Sequence, residues 1–398
     1  MRVGFIPIAC VLLAIVPERA SGRDTVKNIR LEGVIVTGGN HPDVVRRESV
    51  LPVEVTGKEF SREHFTGNLS RALESVPGVH SMNIGSGFSK PVIRGMGFNR
   101  VVVVENGVKQ EGQQWGDDHG LEIDAFNVES VVVYKGPASL FHGSDAMGGV
   151  IEITRALPPP DDRLLGEIVL LGRAVNGTVA GSAMAAVKRG AWYARARYTR
   201  QAFGDYRVPA DTVVYLTRRL PLARRALKNT AGREQDAAGL VEYRSGRYHA
   251  WITASNARQE TGFFPGAHGI PDASRLQDDG DSRDVALPRS VVNHLKVATR
   301  QERAWGDGLS ARWDAGYQRN RREEWSRFHT HYGSQQPPER SPDLELAFFL
   351  DTYSSSLRVK RVGRRGWEQA VGWDVQVQRN RVAGYSFLLP EHDRVTTG

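Results

Sequence analysis

Cysteine is almost absent. Cys10 is the only one in 398 residues, and it lies in the apolar stretch at the N-terminus. For the remainder of the chain this excludes a disulfide framework, a cysteine nucleophile and a thiolate metal site. Long hydrophobic runs are missing too: apart from Val3 to Val16, no apolar stretch approaches the roughly 20 residues that a spanning helix needs. The signatures of common catalysts are also lacking, with no Gly-x-Ser-x-Gly elbow, no phosphate-binding Gly-rich loop ending in Lys-Ser/Thr and no His-Glu-x-x-His, so enzymatic activity is not expected. Hydrophobic residues make up 40% and charged residues 25% of the chain. That balance excludes a helical membrane protein and a disordered chain, but not a membrane β-barrel, whose strands are apolar only at every second position.

The net charge of +8 raises a nucleic-acid reading. Its carriers, among them Arg195, Arg197, Arg312, Arg319 and Arg358, are scattered through alternating segments rather than gathered on one helix, so no nucleic-acid partner is expected. At the start, Arg2, the apolar run Val3 to Val16 and the small residues Ala20-Ser21-Gly22 form an export signal, expected to end at residue 22. No bound cofactor is called for.

Next comes a β-prone segment, Leu31-Glu32-Gly33-Val34-Ile35-Val36-Thr37, able to pair by edge addition with another protein or simply to open the following domain. Residues 38–156 read as a compact α+β domain. Leu69, Ala72, Leu73 and Val76 recur at helical spacing before Pro77-Gly78 ends the helix. The run Arg100 to Val104 leads into an Asn106-Gly107 turn, Val128 to Tyr134 forms a second β-branched run, and Gly148-Gly149-Val150-Ile151 closes the domain. Gly95, Gly136, Gly148 and Gly149 are expected at tight backbone positions, and Arg94 and Glu129 in an internal ion pair or opposite charges of a surrounding wall.

Taken in order, Val76-Pro77-Gly78-Val79, Ile93-Arg94-Gly95, Asn106-Gly107, Val128 to Val133, Lys135-Gly136-Pro137-Ala138-Ser139 and Gly148-Gly149-Val150-Ile151 resemble the plug domain of TonB-dependent outer-membrane receptors. The resemblance is densest from Leu69 to Ile153. It implies that Leu31 to Thr37 is similar to the TonB box. It also implies that TonB and its inner-membrane energising complex are partners, and that the chain resides as a monomer in the outer membrane of a Gram-negative bacterium. The same resemblance implies transport of a scarce solute, by default a metal chelate such as a ferric siderophore, with zinc, haem or cobalamin as alternatives. A non-transporting surface receptor or adhesin and a nonfunctional remnant are the competing readings.

From residue 164 to 398, beyond Pro158-Pro159-Pro160, the pattern becomes strict alternation. Leu309, Ala311, Trp313, Ala315 and Tyr317 fall on one face, and Ser310, Arg312, Asp314, Gly316 and Gln318 on the other. Such alternation also suits a soluble sandwich, but strands of ten or more residues joined by alternately short turns and long polar loops favour a transmembrane barrel. Trp192, Trp251, Trp305 and Trp367 are expected in an interfacial aromatic girdle. Nine or ten strands are counted, against about twenty-two in a closed barrel of this family. The fold class is therefore an α+β plug followed by antiparallel transmembrane barrel strands, about half of such a barrel, and the chain looks truncated.

Candidate contacts to a solute lie in polar, Gly-punctuated loops on this scaffold. They are Gln113, Gln114, Trp115, Asp118 and His119 in the plug, and Phe263, Phe264 and His268 in a barrel loop. Asp118, His119, His329 and His331 are the candidate metal ligands.

Overall fold

The computed structural model describes residues 52–397 apart from 113–115, 117–118, 137–142, 144, 216, 266–279, 307, 330–335, 364–366 and 387–390. The expected export signal and the segment Leu31 to Thr37 lie outside the described residues.

Two sheets organise the fold. The smaller is built from β1 (Val53–Gly57), β4 (Val101–Glu105), β5 (Val108–Lys109), β6 (Ser130–Lys135) and β7 (Gly149–Thr154), in the order β1-β6-β7-β4-β5. Beside it runs a separate two-stranded ribbon, β2 (Val79–Ile84) with β3 (Phe88–Ile93). Val101 to Val104 are all buried, as are Val131 to Val133, which is why these strands read as unbroken β-branched runs rather than alternations: the sheet is covered on both faces.

One cover is the helical turn Leu69–Ala72, which continues as a 3-10 turn through Ser75. It starts at Asn68, whose side chain accepts a hydrogen bond from the Arg71 N–H at 3.0 Å. Leu69, Leu73 and Val76 bury against Val101, Val103, Val131, Val133 and Ile151. Asn106 and Gly107 both take positive φ, +53° and +82°, as a two-residue turn between β4 and β5 requires.

The larger sheet is an antiparallel meander. Its first three strands are β8 (Arg163–Arg173), β9 (Thr178–Arg189) and β10 (Trp192–Phe203). A long connection then carries two small ribbons, β11 (Tyr206–Arg207) with β14 (Ala226–Leu227) and β12 (Thr212–Tyr215) with β13 (Arg218–Pro221). The sheet resumes with β15 (Gly232–Ser245), β16 (Tyr248–Gly262), β17 (Arg289–Ala304), β18 (Leu309–Trp325), β19 (Leu344–Val362), β20 (Glu368–Ala383) and β21 (His392–Thr397). Ten strands pair in strict neighbour order from β8 to β21, matching the nine or ten counted from alternation. Even the 11 residues of β8 are long enough to cross an apolar band about 25 Å tall at a tilt. No helix among the described residues is long and apolar enough to cross a membrane.

Burial along these strands is inverted relative to a soluble protein. Leu164, Ile168 and Leu170 of β8 are about four-fifths exposed, and Val371 and Trp373 of β20 are exposed as well. Arg197, Thr199, Asp314, Gln318, Asn320, Arg322 and Asn380, all on the opposite face, are buried. The polar face is the one turned toward the smaller sheet and its connections, which Asn320, Thr199 and Gln318 reach with hydrogen bonds. Trp192, Trp305 and Trp367 are exposed at the short-turn end, as a girdle requires. Trp251 departs from that expectation: only 4% exposed, it points inward, where the guanidinium groups of Arg155 and Arg300 lie 5.1 and 5.5 Å from its ring centroid.

Gly149 shows how tightly the smaller sheet is built. Its φ is +152°, and a Cβ there would sit 2.3 Å from the Tyr134 carbonyl oxygen and 2.9 Å from Ile93 Cδ1. Gly149→Ala is expected to destabilise this sheet by at least about 1–3 kcal/mol, read as faster amide hydrogen exchange at Val131 to Val133 with the barrel strands unaffected.

Candidate functional site

The site is the interface between the small domain and the polar wall. The sequence Leu121-Glu122-Ile123-Asp124 alternates: Leu121 and Ile123 join the domain's apolar core, which turns Glu122 and Asp124 toward the wall. Glu122 is the hub. Arg322 of β18 donates to its Oε1, Asn320 Nδ2 of β18 donates to its Oε2 at 2.9 Å, and His294 Nδ1 of β17 lies 3.1 Å from the same oxygen. Gln110 Nε2 lies 3.1 Å from His294 Nδ1 and donates to the Leu121 carbonyl at 2.6 Å. Lys296 extends the chain, donating to Gln110 Oε1 at 2.9 Å and pairing with Glu105. Every member of the Glu122 cluster is buried, His294 completely.

Burial by itself would raise the Glu122 carboxyl, but the Arg322 charge and the His294 hydrogen bond outweigh it and hold the group at about 2, against an ordinary 4.5. Glu122 also occupies positive φ, +49°, a conformation that a non-glycine residue keeps only when its surroundings impose it.

Two further polar contacts flank this hub. Asp124 Oδ2 accepts from Thr199 Oγ1 at 2.8 Å, and Thr199 and Ser182 hydroxyls lie 2.8 Å apart. Arg197 donates to Ser182 at 2.6 Å and pairs with Glu167, which also holds Arg62 at 2.6 Å. Arg155, in the strand-to-barrel connection, donates to Glu242 at 2.5 Å, and Glu242 lies 2.8 Å from His249.

At the long-loop end, the tip of the β2–β3 ribbon meets two connections of the large sheet, at Asn176 and Phe263, and the end of β16 at Gln259. Asn176 Nδ2 donates to Ser86 Oγ at 2.8 Å, Gln259 Nε2 donates to the Gly87 carbonyl at 2.9 Å, and Phe88 stacks on Phe263 with centroids 5.1 Å apart. A Cβ on Gly87 would lie 2.6 Å from Thr261 Oγ1, so the tip needs glycine to reach the wall.

Of the residues singled out in the sequence, Gln113, Gln114, Trp115, Asp118, His268 and His331 lie outside the described residues. His119 is buried, its Nε2 3.2 Å from Glu324 of β18 and its ring edge-on to Phe348. His329 Nδ1 lies 3.2 Å from the Tyr385 hydroxyl, and its Nε2 lies 4.0 Å from Glu345. Phe263 is buried on Phe88 rather than presented to solvent, while Phe264 is half-buried. Among the described residues, no group of three or more His, Cys, Asp or Glu is placed to hold a metal ion.

Arg94 is exposed at φ +50° and forms no ion pair with Glu129, while Glu129 lies within electrostatic range of Arg195 on the wall, so the second alternative for this pair describes Glu129 alone. Gly95 and Gly136 take positive φ, and Gly148 packs where a Cβ would lie 2.8 Å from Met96 Cβ. Sequence reading missed Glu122, His294, Asn320, Arg322, Asp124 and Glu242. Acids alternating with core residues in Leu121 to Asp124, and the Gln318, Asn320, Arg322 stripe on the polar face of β18, were the available signals.

Because the Glu122 carboxyl is lowered in the fold, its stabilisation is complete above about pH 4.5 and is lost as pH falls from there through about 2, roughly 3 kcal/mol in all. Glu122→Gln is expected to remove this acid dependence, followed by hydrogen exchange at the Leu121 to Asp124 amides; an unchanged acid transition in the variant would take Glu122 out of the account. Arg322→Leu, which strands the buried carboxylate, is expected to cost about 3–5 kcal/mol by chemical denaturation of the folded chain.

Residues 45–150 match the family model of the TonB-dependent Receptor Plug Domain. An iron-regulated outer membrane virulence protein of Vibrio cholerae is 31% identical over 131 residues, covering 31% of this chain and 20% of that protein. A vitamin B12 transporter of Photobacterium profundum is 26% identical over 154 residues, covering 37% of this chain and 25% of that one. A mutant of the ferric enterobactin receptor from Pseudomonas aeruginosa superposes with a TM-score of 0.64 at 15% identity, covering 85% of this chain and 50% of its own. The chain thus spans about half the length of the solved receptor, and its curated relatives align over a quarter of their length or less. With a plug-type domain at residues 45–150 lodged against the polar face of a ten-stranded antiparallel sheet, the chain is similar to the TonB-dependent receptors.

Proposed function

We infer that the chain serves TonB-dependent import of a scarce solute across the outer membrane, with a metal chelate such as a ferric siderophore as cargo. The observation that carries this reading is the plug–wall interface itself. A domain that fills a barrel permanently would be best held by apolar packing. Here the apolar contacts are confined to patches at Val108, Phe126 and Phe88, and between them run ion pairs and hydrogen bonds from Glu122, Asp124, Gln110, Glu105 and Arg155, contacts that fix position more than they add stability and that water can replace when the domain shifts. The ribbon tip at Ser86 and Gly87 meets Asn176 and the end of β16 at the long-loop end, the end that faces outward in such barrels, and so stands where an arriving solute would touch the plug first.

The cargo class is taken from the relatives, whose names include iron regulation, ferric enterobactin and vitamin B12. A zinc reading finds less support, because His119 is turned toward Glu324 and Phe348. Energy would enter through the periplasmic segment Leu31 to Thr37, pairing with TonB by strand addition.

Deleting Leu31 to Thr37 from the receptor in a Gram-negative host lacking its own is expected to abolish uptake of labelled ferric siderophore while surface binding at 0 °C persists. Uptake that continued without the segment would reject this route of energy input.

A further inference from the structure

Between the small domain and strands β10, β15, β16 and β17 lies a cavity of about 40 Å³, more than the 10–15 Å³ or so that one water needs and large enough for a single small anion. Four cations line it, Arg155, Arg195, Arg197 and Lys296, against one carboxylate, Glu105. Three of the four have carboxylate partners: Arg155 with Glu242, Arg197 with Glu167, and Lys296 with Glu105.

Arg195 differs. Its Nη1 donates to the neutral Asn127 Oδ1 at 2.8 Å, and no carboxylate pairs with it among the described residues. Arg197 stands two residues along on the same face of β10, so the two guanidinium groups repel one another across the cavity wall. Arg197 is only 4% exposed, and its Nε has no hydrogen-bond partner among the described residues. A half-buried cation that feels Glu129 and Glu167 only at a distance and has no carboxylate in contact, next to a buried donor without an acceptor, is an arrangement completed by an acceptor that carries negative charge.

We propose that this cavity is an anion site, filled by a halide-sized anion or by one carboxylate group, held between Arg195 and Arg197 of the wall. Asn127 and Arg155 of the plug side complete the lining, so the bound anion ties the plug to β10 from within. The small wall residues opposite, Ala238, Gly239 and Ser255, leave the space open. The site goes beyond the import reading and does not rest on it, since it belongs to the folded chain at rest.

The test uses the full chain purified in detergent, with its thermal midpoint measured in chloride, bromide, acetate or gluconate at equal ionic strength, beside bromide-soaked crystals. Stabilisation by chloride and bromide over gluconate, with an anomalous bromide peak beside Arg195, identifies a free halide site. Stabilisation by acetate without the halides identifies a carboxylate station. Arg195→Gln is expected to weaken the responsible anion at least about tenfold, while Arg195→Lys, which keeps the charge, retains most of the effect and guards against a folding defect. No anion-specific stabilisation, or a full effect in Arg195→Gln, overturns the proposal and leaves water as the occupant. Either result stands apart from the uptake measurement, which reads the N-terminal segment and not this cavity.

Discussion

One constraint governs the molecule: a sheet that meets lipid must turn its apolar side chains outward, so only its polar side is left for contact with the rest of the chain. Ile168 is exposed at 78% while Arg322 is buried at 1%, and neither would be tolerated in a soluble sandwich. What the small domain touches is therefore largely hydroxyl, amide and charge, with smaller apolar patches where Val108 packs beside Trp251 and Phe126 beside Ala180. Its own core is conventional, with Val101, Val103, Val131 and Ile151 packed under the turn Leu69–Ala72. The consequence is a domain that is cohesive within itself and held to its surroundings by a different class of force.

That difference decides how the interface responds to perturbation. Apolar packing weakens gradually with lost area, whereas a buried charge that loses its partner costs several kcal/mol at once. Glu122, with Arg322, Asn320 and His294 around one carboxylate, concentrates this behaviour in a single residue. Its positive φ places backbone constraint at the same point. Position in the lumen is thus specified at a few hubs rather than spread over an area, and the steric fit of Gly87 against Thr261 adds shape to charge.

Local rules made much of this legible in the sequence. Asn106-Gly107 declares its turn because few other pairs adopt positive φ twice in succession, and the alternation in Leu309 to Gln318 sorted outward from inward side chains with no knowledge of the neighbours. The Leu69 turn and the β-branched runs follow from propensity and periodicity. What escaped was long-range. Glu122 meets His294 and Arg322 across 172 and 200 residues, and no local pattern announces such partners. Trp251 was misassigned for the same reason: a tryptophan near a strand end looks alike whether it faces lipid or faces Arg155, and only the fold brings Arg155 to its ring. His119 likewise gives no local sign of its neighbour Glu324, 205 residues away in the chain.

The β2–β3 ribbon belongs to neither sheet. Six residue pairs long, it spans about 20 Å, from a tip touched by Asn176 and Gln259 to a root where Val79 and Ile93 are fully packed in the apolar core and the Arg94 N–H donates to the Gly78 carbonyl at 3.0 Å. A laddered pair of strands resists shortening, so it is a stem: whatever displaces the tip from Asn176 and Gln259 must also displace the middle of the small domain, because both ends belong to one rigid ladder.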